Sequence, residues 1–407
     1  LHDVSPCDDR AVAAPDVVFV NGRGYAKPRT RTAVVCTDGL DPRYLDDAFG
    51  RGLMPRVREL AGGGTFAIGR SQLPSFTNPN NLSIVTGAPA SVHGIPGNHY
   101  LDASGDEVQL VEPRFLRAIS VHAVLGAAGT RVLAVTTKDK LRALLGAGGV
   151  PSVSAERADV QTLQGVGIVA DTVDRPKPDI YDWDCSHYAL ELGLELGDRL
   201  EIELLYVSLT DFVQHAAAPG DELSDRYLVR LDELVGEYVD RGWRLGLVSD
   251  HGMNTKANGE PRVRYLGDVL DRARVRSAHV VLPITDPYVV HHASLGSACW
   301  IYAEGDELER AEEVVADQPG VEQVLSREQA ASDLELPADR IGDLVVLADA
   351  GTALGRRRAE HDLGALAGAL RSHGGRHEAA VPIVLSERVD LPDDVRNRDV
   401  HHLLLAP

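Results

Sequence analysis

The chain is poor in the residues that staple a protein together or anchor it. Its 407 residues include only four cysteines, Cys7, Cys36, Cys185 and Cys299, scattered with no Cys-x-x-Cys pair. That spacing gives no support to a thiolate metal site, and a chain of this size is not expected to rest on a disulfide framework. The four are expected to be small buried apolar side chains. No apolar run approaches the ~18 residues of a membrane-spanning helix. The opening, residues 1–10, is polar and acidic and lacks the basic stretch and apolar core of a secretory leader. On these absences the expectation is a cytoplasmic protein with no membrane partner. Positive charge is also scarce: 41 Lys and Arg stand against 61 Asp and Glu, for a net charge of −20. Nucleic acid would be repelled. An anionic small molecule would need a local positive patch.

What is present is a large apolar fraction, 44%, enough for a substantial core and more than one lobe. Buried-type strands are expected at 31–36, 65–68, 131–135, 202–207 and 244–248. Helical patterns are expected at 44–60, 80–86, 115–125, from about 140, and at 222–239. This alternation predicts an α/β fold, a mostly parallel central sheet flanked by helices. After Asn258 the pattern changes, with strands at 278–282, 298–302 and 321–325 and a helix at 306–317. The expected organisation is a disordered lead (1–16), the first part of a core domain (17–258), a smaller inserted α+β cap lobe (259–370) and a return to the core (371–407).

Two separated stretches carry metal-ligand chemistry. In Asp211-Phe-Val-Gln-His215 the acid and the imidazole are four apart, on one face of a helical turn, and can address one ion. In Ser249-Asp250-His251-Gly252-Met253 the adjacent pair follows an apolar strand. Successive side chains diverge there and can serve two neighbouring ions or two sides of one, at the strand end where open α/β sheets bind ligands. Asp38-Gly39 follows the strand at 31–36. Alone it reads as a turn; beside Asp250-His251 at an equivalent strand end, it reads as a ligand.

Thr77 precedes Asn78-Pro79, where proline fixes a helix start. Alone it is a cap, yet its hydroxyl lies where free N–H groups and the helix dipole favour a phosphoryl oxygen. A metal ion is needed to make such a hydroxyl nucleophilic at neutral pH. Ser372-His-Gly-Gly-Arg-His377 offers a late histidine, and either His373 or His377 suffices. Lys138-Asp-Lys140 follows the strand at 131–135. Ammonium groups at a helix start oppose the dipole, which favours a functional reason such as holding a substrate carboxylate. His291-His292 reads as one histidine on each face of a cap strand.

Longer segments carry a resemblance. Pro74-Ser-Phe-Thr-Asn-Pro-Asn-Asn-Leu-Ser-Ile-Val-Thr-Gly87, Ser91-Val-His-Gly-Ile95, Gly97-Asn98, Lys138-Asp-Lys-Leu-Arg142, Ser208-Leu-Thr-Asp-Phe-Val-Gln-His215, Ile284-Thr-Asp-Pro-Tyr-Val-Val-His-His292 and Ser372-His-Gly-Gly375 resemble the phosphonoacetate hydrolases. These are dizinc enzymes of the alkaline phosphatase superfamily, in its nucleotide pyrophosphatase/phosphodiesterase-like branch. The similarity runs from about Val20 to about Leu385.

The resemblance implies an alkaline phosphatase-like core and two Zn²⁺ ions. Asp211, His215 and His373 would hold one ion, and Asp38, Thr77, Asp250 and His251 the other. Thr77 would be the nucleophile, Asn98 would receive phosphoryl oxygens, and Lys138 and Lys140 would bind the substrate carboxylate. The implied reaction is cleavage of the carbon–phosphorus bond of phosphonoacetate to acetate and phosphate through a phosphothreonine. A small phosphonate is then the expected partner, and a homodimer is compatible with the sequence. The chain departs from the family pattern at Thr37, Pro96, His99 and Ala216-Ala217. The alternative on the same scaffold is a phosphodiesterase/nucleotide pyrophosphatase or a phosphomonoesterase, from which only the lysine pair discriminates.

Overall fold

The computed structural model describes residues 16–258, 260–284, 295–365 and 369–407. Cys7, nearly all of the expected lead, and 285–292 of the segment ending in His291-His292 lie outside the described residues. The other three cysteines are free and buried. Among the described residues, no helix is long and apolar enough to cross a membrane.

A seven-stranded sheet forms the centre. In chain order its strands are β1 (Thr32–Cys36), β2 (Thr65–Arg70), β3 (Val132–Thr136), β4 (Ser152–Ser154), β5 (Leu204–Ser208), β6 (Arg244–Val248) and β7 (Ala380–Leu385). They lie side by side as β2-β7-β6-β1-β5-β3-β4. All pairings are parallel except those of β7, which runs antiparallel to both neighbours. This is the predicted α/β architecture, with β7 the exception that makes the sheet mixed.

β1, β3 and β5 are buried at all five positions. Their unbroken apolar runs are what a sheet covered on both faces requires. One cover is the long helix Cys185–Arg199, with 11 of its 15 residues buried. Sequence reading missed this helix. Its four unburied residues, Glu191, Glu195, Asp198 and Arg199, fall on one face at helical spacing, and the rest of its circumference is covered. Its Gly193 reads as a break, yet a Cβ there would fall 2.3 Å from the Tyr238 hydroxyl.

A second sheet of four antiparallel strands uses His279–Val281, Ala298–Tyr302, Leu344–Ala348 and Val321–Ser326, in that spatial order. Leu344–Ala348, an inner strand of it, was not anticipated. This sheet props the core: Trp300 Nε1 donates to the His99 carbonyl at 3.1 Å, and Ser297 N donates to that of His373 at 2.8 Å.

Other corrections are local. The helix expected at 115–125 is a 3₁₀ turn at Pro113–Phe115 and a separate helix, Val121–Ala127. The helix expected at 80–86 begins at Thr77, because Pro79 sits inside its first turn, where its missing N–H costs no hydrogen bond.

Several histidines are buried as neutral rings around that helix. Burial lowers His93 to about 3 and His401 to about 4, and pushes His122 well below its usual value of 6.5. The unfolded chain takes up protons near 6.5 that the folded chain refuses, so stability is present above that pH and lost as pH falls. Urea unfolding is expected to show a decline between pH 6.5 and 5, on the order of 1 kcal/mol per pH unit for each such histidine. A flat profile over that window would contradict the burial of these rings as neutral groups.

Candidate active site

The register of the sheet builds the site. Cys36 on β1 pairs with Val248 on β6 and with Ser208 on β5, and Ser208 pairs in turn with Thr136 on β3. Four adjacent strands therefore end level. Just past those ends come Asp250, Asp38, Asp211 and Lys138, a row of three carboxylates and one ammonium. Gly39 turns the chain after Asp38 with φ +70°, and a Cβ there would lie 2.9 Å from Asp211 Cβ. Glycine is thus needed for the β1 and β5 loops to close on each other.

Asp38, Asp211 and Asp250 are almost completely buried. Burial and the neighbouring charges of Asp211 and Asp250 hold Asp38 well above the usual carboxylate range. Burial likewise pushes Asp250 up to about 7, with Asp211 adding to it. Burial would also raise Asp211, but Lys138, with Nζ 3.3 Å from Oδ1, and then the histidines beside it outweigh that effect and hold it well below. Asp250 accepts from the backbone N–H groups of Gly39 and His251 and from Asn81 Nδ2. Among the described residues, no group other than the His251 ring comes within donor distance of the Asp38 oxygens.

Three buried histidines face these acids. Each is hydrogen-bonded through Nδ1 to a backbone carbonyl: His215 to Arg371 at 2.8 Å, His251 to Gly252 at 2.8 Å and His373 to Ser75 at 2.7 Å. A carbonyl only accepts, so Nδ1 of each carries a proton and Nε2 is the atom free to act as a metal ligand in the neutral ring. Burial, then the adjacent His251 ring, keep His373 neutral by lowering it well below the usual range. The His251 and His373 rings stack with centroids 3.5 Å apart.

Those nitrogens point at acids. His251 Nε2 is 3.1 Å from Asp38 Oδ1, His215 Nε2 is 3.0 Å from Asp211 Oδ2, and His373 Nε2 is 3.6 Å from the same oxygen. In a dry interior such facing nitrogens and carboxylate oxygens need a proton or a cation between them. The donor set thus fits a divalent metal, and the carbonyl partners fix the rings as outer-shell groups fix metal-ligating histidines. Two groups have ligand atoms close enough for one ion each: Asp211, His215 and His373, and Asp38, Asp211 and His251. Asp211 belongs to both. Asp250, expected as a ligand, is in neither group and has its oxygens engaged by three donors.

Thr77 is half-buried at the first position of its helix, and its hydroxyl donates to His251 Nε2 at 3.2 Å. Asn98, also half-buried, accepts from Asn78 Nδ2 at 2.7 Å. Lys140 is exposed, beside Lys138. His377 lies outside the cluster and pairs with Glu322 at 2.8 Å, so His373 is the histidine brought to the site. Sequence reading missed Asn78 and Asn81. Asn81 donates to the Thr77 carbonyl and to Asp250 and accepts from Tyr206, which ties the helix to two strands. The two consecutive asparagines at 80 and 81 inside an apolar helix were the available signal, since buried amides need partners.

This architecture defines a class. Residues 32–378 match the type I phosphodiesterase / nucleotide pyrophosphatase family, and the chain belongs to it. Within that class it falls among the phosphonoacetate hydrolases. It is 39% identical to the phosphonoacetate hydrolase of Sinorhizobium meliloti 1021, solved in complex with phosphonoacetate and with phosphonoformate. The TM-score is 0.91 over 95% of this chain and 98% of that one. Mouse ectonucleotide pyrophosphatase/phosphodiesterase family member 1 is 27% identical over 260 residues, 58% of this chain, so the chain spans about a quarter (26%) of that protein. Human ectonucleotide pyrophosphatase / phosphodiesterase 5 shares the fold, with a TM-score of 0.63 at 16% identity over 92% and 93% of the two chains.

Proposed function

We propose that this protein hydrolyses phosphonoacetate to acetate and phosphate, using Thr77 as nucleophile. The observation that carries the reading is the set of Nε2 atoms and buried carboxylates gathered around the half-exposed Thr77 hydroxyl. The likeness to an enzyme solved with phosphonoacetate supports the choice of substrate. Asp211, His215 and His373 would hold one Zn²⁺, and Asp38 and His251, with Asp211 shared and Asp250 and Thr77 alongside, the other. When bound, such ions lower the pKa of a hydroxyl and neutralise charge on a phosphoryl group.

Thr77 Oγ attacks phosphorus in line, forming a phosphothreonine as the carbon–phosphorus bond breaks. The electron pair leaves on carbon, spreads into the carboxylate as an enolate, and is quenched by a solvent proton. Water then releases phosphate from Thr77. Asn98, oriented by Asn78, and the first-turn N–H groups of the helix receive phosphoryl oxygens. Lys138 and Lys140 stabilise the carboxylate end, which makes an otherwise poor carbon leaving group tolerable. They also give a locally positive pocket in a chain of net charge −20. Residues 259–370 would act as the cap lobe over this site.

Release of phosphate from phosphonoacetate by zinc-loaded protein tests the reading. Cleavage of an aryl phosphodiester without any phosphonoacetate turnover would move the function to the phosphodiesterase alternative. The lysines sharpen the test. Lys138→Met with Lys140→Met is expected to lower kcat/KM for phosphonoacetate by about 10²-fold, as loss of a charged partner does, and to change aryl phosphodiester cleavage only a few-fold. Because Lys138 also touches Asp211, the diester is the internal check. Equal loss of both activities would assign the lysines to the metal site instead of the carboxylate.

A further inference from the structure

Beneath the site lies a charged network that the chemistry does not use. Lys256 and Glu378 are both fully buried, and Lys256 Nζ donates to Glu378 Oε1 at 2.7 Å. Nζ also donates to the Ala350 carbonyl at 3.0 Å, Asn254 Nδ2 donates to Glu378 Oε1 at 2.6 Å, and Gly375 N donates to Oε2 at 2.9 Å. Asn254 Oδ1 accepts in turn from Arg43 at 2.7 Å. Arg43 is itself held by Asp41 Oδ1 at 2.6 Å and the Met253 carbonyl at 2.8 Å. Gly252 N donates to the Glu378 carbonyl at 2.7 Å.

Apart from Ala350, each participant lies within five residues after a candidate ligand. Asp41 and Arg43 follow Asp38, Asn254 and Lys256 follow His251, and Gly375 and Glu378 follow His373. Apolar side chains of similar volume in place of a buried ion pair are often at least as stable. Stability alone therefore gives no reason for placing one here. Location does: the network crosses between the loops of the two stacked rings, and their ring-to-ring separation is set by where those loops sit.

We infer that Lys256, Glu378 and Asn254 form a positioning clamp that fixes His251 against His373, and with them the spacing of the two metal positions. The inference rests on the metal reading given above. None of the three touches substrate; they act through the histidine loops. Outer-shell groups of this kind typically change metal affinity by about 10- to 100-fold when lost.

The test compares wild type, Asn254→Ala, Glu378→Gln and Leu190→Ala, the last a core truncation away from the site. Zinc affinity is read by competition with a chromophoric chelator, kinetics on phosphonoacetate, and Tm by heating. Asn254→Ala and Glu378→Gln are expected to weaken zinc binding by about 10-fold or more. In both, kcat should fall by a similar factor while KM stays nearly constant. Leu190→Ala should lower Tm and leave zinc affinity unchanged. Wild-type zinc affinity in the two clamp variants would overturn the inference, as would equal weakening in Leu190→Ala. If Glu378→Gln does not fold, Asn254→Ala, which keeps the Lys256–Glu378 pair and removes the amide's bonds to Glu378, Arg43 and the His377 carbonyl, decides the matter alone. Wild-type protein that binds no zinc would overturn the metal reading itself, a distinct result.

Discussion

Thr77→Ala is expected to lower phosphonoacetate turnover by on the order of 10⁴- to 10⁶-fold, the scale seen when a covalent nucleophile is removed. The hydroxyl stands at the start of a helix whose cap position is occupied by Phe76, with no side chain closing the first turn. It is half-buried and lies 3.2 Å from Nε2 of His251, a ring proposed to hold a metal ion, so it stands where a bound cation would lower its pKa. Alanine removes the attacking atom without disturbing the fold, because Asn81 grips the Thr77 backbone carbonyl and not its side chain. Two measurements check this: phosphate release by the variant, and mass spectrometry of quenched wild-type turnover for phosphate on Thr77. Residual activity within tenfold of wild type would remove Thr77 from the nucleophile's role.

The second large effect is expected at Asp211. It is the one acid shared by both groups of candidate ligands, and Lys138, His215 and His373 all converge on it. Asp211→Asn should therefore weaken both metal positions at once. Turnover should fall on the order of 10³-fold, comparable to losing a directly charge-stabilising group. Asp38→Asn should weaken only one position, because Asp38 belongs to a single group. Metal content per chain after dialysis at limiting free zinc distinguishes the two variants. An Asp211→Asn protein that keeps both ions would show that the acid does not serve both positions.

Much of this was legible in the sequence, for a definite reason. Strands buried on both faces leave unbroken apolar runs, so β1, β5 and β6 announce their own ends, and Asp38, Asp211 and Asp250-His251 can be placed at those ends before any strand order is known. The order itself is tertiary information. Nothing in the sequence says that Val248, Cys36, Ser208 and Thr136 lie level, and it is that register which gathers three acids and a lysine. The grouping of Asp38, Asp211 and His251 is tertiary information as well, since the three come from loops after different strands. Asn81, whose partners lie on β5 and after β6, and the Lys256–Glu378 pair, 122 residues apart, give no local sign of what they meet.

The level strand ends have a consequence for how such a site can change. Each strand delivers its charged residue on a separate loop, so the chemistry is modular along the sheet. The loops after β6, β1 and β5 supply the acids, while the loop after β3 supplies the lysines proposed to meet the leaving group. Exchanging Lys138-Asp-Lys140 for another loop of the same span would alter which substrates are accepted while leaving the three acids in place. A scaffold built this way can trade one phosphorus bond for another by rewriting a single connection.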